Sequence, residues 1–176
     1  MSPQRAGSPA WWTTKGRQFR THLRARVEPA ERADLEAWVP AALLTVFDAM
    51  PVADRRHGLD VVASLRVAGG GEDHELLLAG LLHDCGKSTA DGRGVGLGPR
   101  VAWSLGEALG PGVLGIARRL PGYGPALDQL ADHAQRSATI VGIAGGSSRT
   151  VDLIRDQAAL PGDRAGELLR RADEAN

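Results

Sequence analysis

Apolar residues recur at helical spacing along most of the chain and nowhere alternate over the length of a strand, so the pattern predicts an all-α protein. Pro29 suits a first helical turn, and Leu35, Trp38, Leu43, Leu44 and Phe47 follow it at helical intervals until Met50-Pro51 closes the run. Pro40 falls inside that run and predicts a break. Asp54 is placed to cap the next helix, where His57, Val61, Ser64 and Leu65 share a face until Gly69-Gly70-Gly71 ends it. Asp73 can cap the one after. Its body, Leu76 to Leu82, is apolar on nearly every side, as expected of a helix at the centre of a core, with Gly86 as its C-terminal glycine.

Residues 88–98 are rich in glycine and read as a flexible loop. Helical spacing returns over 99–109, 111–120 and 124–143, and Gly145-Gly146 interrupts it. Ser147 or Ser148 then caps a helix through Gln157, and Asp163 caps a last one ending near Ala175. A chain of 176 residues suits one domain. Residues 1–10 read as a disordered tail, 11–50 as an N-terminal helical segment and 51–176 as the helical domain proper.

The 21 basic and 21 acidic residues cancel, so no global field draws the protein to nucleic acid or to an anionic membrane. No apolar run reaches the length needed to cross a bilayer, and the N-terminus lacks the apolar core of a signal peptide. The expected compartment is the cytoplasm. The single cysteine, Cys85, excludes an intramolecular disulfide and a multi-cysteine zinc cluster, and reads as a small packed side chain. Lysine occurs only at 15 and 87.

Lys87 ends the most informative stretch, Ala79-Gly80-Leu81-Leu82-His83-Asp84-Cys85-Gly86-Lys87. An imidazole and a carboxylate close an apolar run there. Burying both without partners would cost several kcal/mol, on the order of 2–7 for each polar group. A divalent ion that accepts lone pairs from both is an economical reason for their position. His57 supplies a second imidazole upstream.

With His57 in Arg-Arg-His-Gly-Leu-Asp-Val-Val, His83-Asp84 in Leu-Leu-His-Asp-Cys-Gly-Lys and Asp173 in Leu-Leu-Arg-Arg-Ala-Asp-Glu-Ala-Asn, the chain resembles the HD-domain metal-dependent phosphohydrolase superfamily over residues 51–176. The resemblance implies an all-helical bundle of the HD-domain type, with His57, His83, Asp84 and Asp173 as metal ligands. Asp152 and Asp156 are rival carboxylates for the last position. Two imidazoles and two carboxylates suit a divalent ion such as Mn, Fe, Co, Ni, Zn or Mg, which lowers the pKa of water and offsets charge on phosphorus. Asp84 and Lys87 are then the expected catalytic residues, and Lys87 and Arg100 the expected phosphate-binding pair.

Some members of that superfamily hold further metals through extra histidines. His133 stands where one would fall, and Asp156 where a second usually stands, which makes the two candidates for a second metal or for substrate. The expected partner is a small phosphorylated molecule, a nucleotide or nucleotide-derived signal, with neither nucleic acid nor membrane. The alternative is a non-catalytic HD-like binding or regulatory module that keeps a structural or vestigial metal site. His22, in a basic arm, and His74, in the first turn of the core helix, are not assigned a role.

Overall fold

The computed structural model describes residues 25–88, 94–156 and 163–176. The tail predicted at 1–10, the start of the N-terminal helical segment, the middle of the 88–98 loop and the helix end at Gln157 lie outside them. The described residues form α1 (Pro29–Leu35), α2 (Ala41–Ala49), α3 (Val52–Leu65), α4 (His74–Leu82), α5 (Leu97–Leu109), α6 (Pro111–Ala117), α7 (Tyr123–Ala131), α8 (His133–Ile143), α9 (Ser148–Arg155) and α10 (Arg164–Ala175). A π-helical turn, Arg66–Gly70, follows α3, and a 3-10 turn, Cys85–Lys87, follows α4. The fold is all-α. Among the described residues the only β-type pairing is an isolated bridge between Ser88 and Gly94. None of the described helices is long and apolar enough to cross a membrane.

Local chemistry sets most boundaries. Pro29 occupies the first turn of α1, where its missing N–H costs nothing, and Glu28 and Glu31 close a capping box around it. Pro40 and Pro51 precede α2 and α3 with extended backbone. Asp73, Ser147 and Asp163 cap α4, α9 and α10 by accepting the backbone N–H of Leu76, Thr150 and Ala165. Asp54 does not cap α3: Pro51 starts that helix three residues earlier, and Asp54 lies buried inside it. The stretch predicted as one helix over 124–143 is two, because the backbone of Asp132 leaves helical geometry between α7 and α8.

At the centre is α4. Every residue from Leu76 to Leu82 is buried, against α2, α3, α9 and α10. Each of its leucines contributes roughly 2 kcal/mol by leaving water. Leu35, Val39, Leu43, Leu44, Phe47 and Met50 belong to the same core, so α1 and α2 are continuous with the rest of the bundle. A smaller core, Val95, Ala102, Ala117, Leu127 and Leu130, joins α5, α6 and α7.

The N-terminus of α4 is lashed to that of α9. Arg149 reaches both Asp73 oxygens at 2.7 and 2.6 Å and Glu75 at 3.1 Å, and the Ser147 hydroxyl donates to Glu75. Fixed at that end, α4 delivers His83 at the other.

Candidate metal centre

His83 is the C-terminal cap residue of α4, and Asp84 leads into the 3-10 turn. His57 comes from the first half of α3 and Asp173 from the last turn of α10. Two consecutive helices and a third from the far end of the chain thus converge on one point. One ligand atom each from His57, His83 and Asp173 lies within 4.8 Å of the others, a group that could hold a metal ion. His57 Nε2 and His83 Nε2 both approach Asp173 Oδ1, at 2.8 and 3.3 Å. Asp84 closes the set, with Oδ1 3.4 Å from His83 Nε2 and Oδ2 3.9 Å from His57 Nε2. Ligand atoms each about 2.0–2.2 Å from one ion stand roughly 3.0–3.6 Å apart, so two of these separations already match a coordination shell.

The backbone selects the useful tautomer. Nδ1–H of His83 donates to Gly80 O at 2.9 Å, which in the neutral ring leaves the Nε2 lone pair facing the carboxylates. His83 and Asp84 side chains are only 1% and 4% exposed. His83 Nε2 and Asp84 Oδ1 make no hydrogen bond to any described residue, although unpaired buried polar atoms are costly. A cation shared between them relieves both. Without a metal, burial disfavours charge on His83, but the Asp84 and Asp173 carboxylates outweigh it and raise the imidazole to about 9. Asp84 is held below its ordinary value, against burial, by His83, Lys87 and His57.

Lys87 and His133 line the same point. Lys87 Nζ donates to Asp84 Oδ2 at 2.7 Å. His133 Nδ1–H donates to Leu130 O at 2.7 Å, and its Nε2 stands 3.8 Å from Asp84 Oδ1. Burial and the neighbouring Lys87 charge lower the His133 pKa, which keeps that Nε2 lone pair available.

No family model, curated protein or solved structure matches the chain.

Two of the expected residues have other engagements. The Arg100 guanidinium donates to both oxygens of Asp54, at 2.9 and 2.8 Å, and to Val95 O at 3.0 Å. All three contacts are intramolecular, so Arg100 stands in an ion pair with Asp54. Asp156 is exposed at the C-terminus of α9, on the wall of a separate cavity with Ser148, Arg149, Asp152, Leu153 and Asp163. The structure does not bring it to the histidines, and Asp152 points to the same cavity wall. Asp173 is the carboxylate that α10 delivers.

Ser137 and Gly86 emerge as supporting residues. Gly86 N–H donates to the buried Ser137 Oγ at 2.8 Å, which ties the turn after His83-Asp84 to α8. A Cβ on Gly86 would meet His133 O at 2.5 Å and Ser137 N at 2.6 Å. Its φ is not positive, so close approach to α8, and not a left-handed helix end, is what requires glycine here. No local sequence signal marks Ser137.

Proposed function

We propose that the chain is a cytoplasmic metal-dependent phosphohydrolase of the HD-domain type that acts on a small phosphoester, a nucleotide or nucleotide-derived signal. The observation that supports this reading best is the meeting of His57, His83 and Asp173, with Asp84 beside them, around two buried atoms that bond to no described residue, His83 Nε2 and Asp84 Oδ1. When bound there, a divalent ion supplies Lewis-acid charge to a phosphoryl oxygen and makes water a better nucleophile. His83 and Asp84 form the floor of the group. Asp173, 41% exposed, and His57, 23% exposed, form its open side, where substrate enters. Lys87, held by Asp84, offers positive charge to the phosphoryl group, and His133 serves a second ion or the substrate.

Elemental analysis of the purified protein beside Asp84→Ala and His83→Ala tests the site, and hydrolysis of an aryl phosphate and a nucleotide panel with Mn²⁺ tests the activity. Metal in the parent alone, with turnover in the parent alone, is the expected result. Retained stoichiometric metal in both helical variants overturns the site. The binding or regulatory module is the second reading, and one observation favours it. Lys87 and Arg100 are each already paired with a carboxylate. Stoichiometric metal without turnover across the panel would select it.

A further inference from the structure

Asp54 stands three residues before His57 on the same face of α3, and its buried carboxylate accepts both terminal nitrogens of Arg100, from α5. Arg100 Nε donates to Val95 O at 3.0 Å, and Val95 N–H donates to Lys87 O at 3.2 Å. Beside this, Ser88 and Gly94 form their bridge, and a Cβ on Gly94 would stand 2.9 Å from Pro51 Cγ at the start of α3. These links close a path: from His57 back along α3 to Asp54, across to Arg100, through Val95 to Lys87, and from Lys87 Nζ to Asp84. It joins two candidate ligands through two ion pairs, Asp54–Arg100 and Lys87–Asp84.

Desolvating a buried ion pair offsets most of its attraction, so the pair is poorly explained by stability alone. A forked arginine–carboxylate contact does supply fixed geometry. We propose that Asp54 and Arg100 are a positioning pair that clamps Val95 and Gly94 to the start of α3 and thereby holds Lys87 against Asp84. Their effect on phosphate passes through Lys87, and that consequence rests on the phosphohydrolase reading.

Because lysine occurs only at 15 and 87, acetylation of Lys87 can be read against Lys15 within one digest. In metal-free protein, Arg100→Ala and Asp54→Asn each raise the Lys87:Lys15 labelling ratio about tenfold, the worth of one charge-assisted hydrogen bond, while helicity is retained. Arg149→Ala removes a remote forked pair and leaves the ratio at the parent value. Mn²⁺-loaded Arg100→Ala keeps the parent's metal stoichiometry but binds inorganic phosphate about tenfold more weakly. Parental labelling in both helical variants overturns the inference, as does an equal rise in Arg149→Ala, which would mean general loosening. Should one variant not fold, the other decides. A protein that binds no Mn²⁺ removes the functional reading, and the metal-free labelling still judges the clamp.

Discussion

Gly58 of α3 lies directly against the backbone of Leu81 in α4: a Cβ on Gly58 would meet the Leu81 carbonyl oxygen and stand 3.2 Å from its carbon. Gly58 follows His57, and Leu81 precedes His83 by two residues. This approach lets the two imidazole rings come within 5.2 Å, centroid to centroid, at an interplanar angle of 62°. Gly80 makes a second close point between the same helices, where a Cβ would stand 2.7 Å from Leu65 Cδ1. The contact at Gly58 is the stricter one, since a carbonyl cannot swing aside as the tip of a leucine can.

Gly58→Ala therefore pushes α3 from α4 at the metal centre. Overpacking of this kind costs about 1–3 kcal/mol, and disturbing the support that orients a ligand lowers metal affinity by about tenfold or more. Denaturant unfolding gives the first quantity and Mn²⁺ titration of refolded, metal-free protein the second. Lost stability with parental affinity would show that the helix contact does not set the spacing of His57 and His83.

Protons and metal compete for His83. Its folded-state value of about 9 lies above the ordinary 6.5, because the Asp84 and Asp173 carboxylates overcome the effect of burial. In metal-free protein the linked stability is complete below about 6.5 and is lost as pH rises through about 9. Metal binding must displace that proton, so affinity rises with pH by up to about tenfold per unit and flattens above the His83 value. Thermal unfolding with chelator and with excess Mn²⁺, at about pH 6.5 and about pH 8.5, checks both signs. The melting temperatures separate as pH rises; a constant gap sinks the competition.

What the sequence reveals about this protein follows how far each interaction reaches. A cap depends on a residue and its next two or three neighbours, so Asp73, Ser147 and Asp163 are readable from the chain, as is the apolar body of α4. His83 and Asp84 are readable because they end that body. The pairing of Asp54 is not, since its partner, Arg100, is 46 positions away. The break at Asp132 has neither glycine nor proline to announce it. Choosing Asp173 over Asp152 and Asp156 requires knowing that α10 packs against α3 and α4 while Asp152 and Asp156 line another cavity. Resemblance pointed to that choice, and packing supplies its physical reason.

Acid stability depends on the lashing of α4 to α9. Arg149 holds Asp73 below its ordinary 3.8, against a smaller effect of burial, and the Ser147 hydroxyl with Arg149 does the same for Glu75. Carboxyls lowered in the folded state stabilise it above their ordinary values, and this is lost as pH falls through the lowered ones. Arg149→Ala releases both groups toward ordinary values and moves acid unfolding to higher pH. Far-UV circular dichroism across an acid titration measures the shift, with metal stoichiometry at neutral pH unchanged. An unmoved midpoint would mean that the pair is idle.

Cys85 sits in the turn beside the candidate ligands, yet its thiol faces the core. Burial pushes it up to about 12, and its Sγ donates to the Ser137 carbonyl at 3.8 Å. At about pH 8 the thiolate fraction falls about a thousandfold below that of a thiol with the ordinary value of 9.0, before access is considered. An aromatic disulfide reagent should leave the native protein unmodified over hours and titrate one thiol per chain in denaturant. Because the turn is braced by Gly86 and Ser137, Ser137→Ala should speed the native reaction by opening it, by about tenfold for the loss of one buried hydrogen bond. Rapid modification of the parent would place the thiol outside the core and would detach the turn carrying Asp84 and Lys87 from α8.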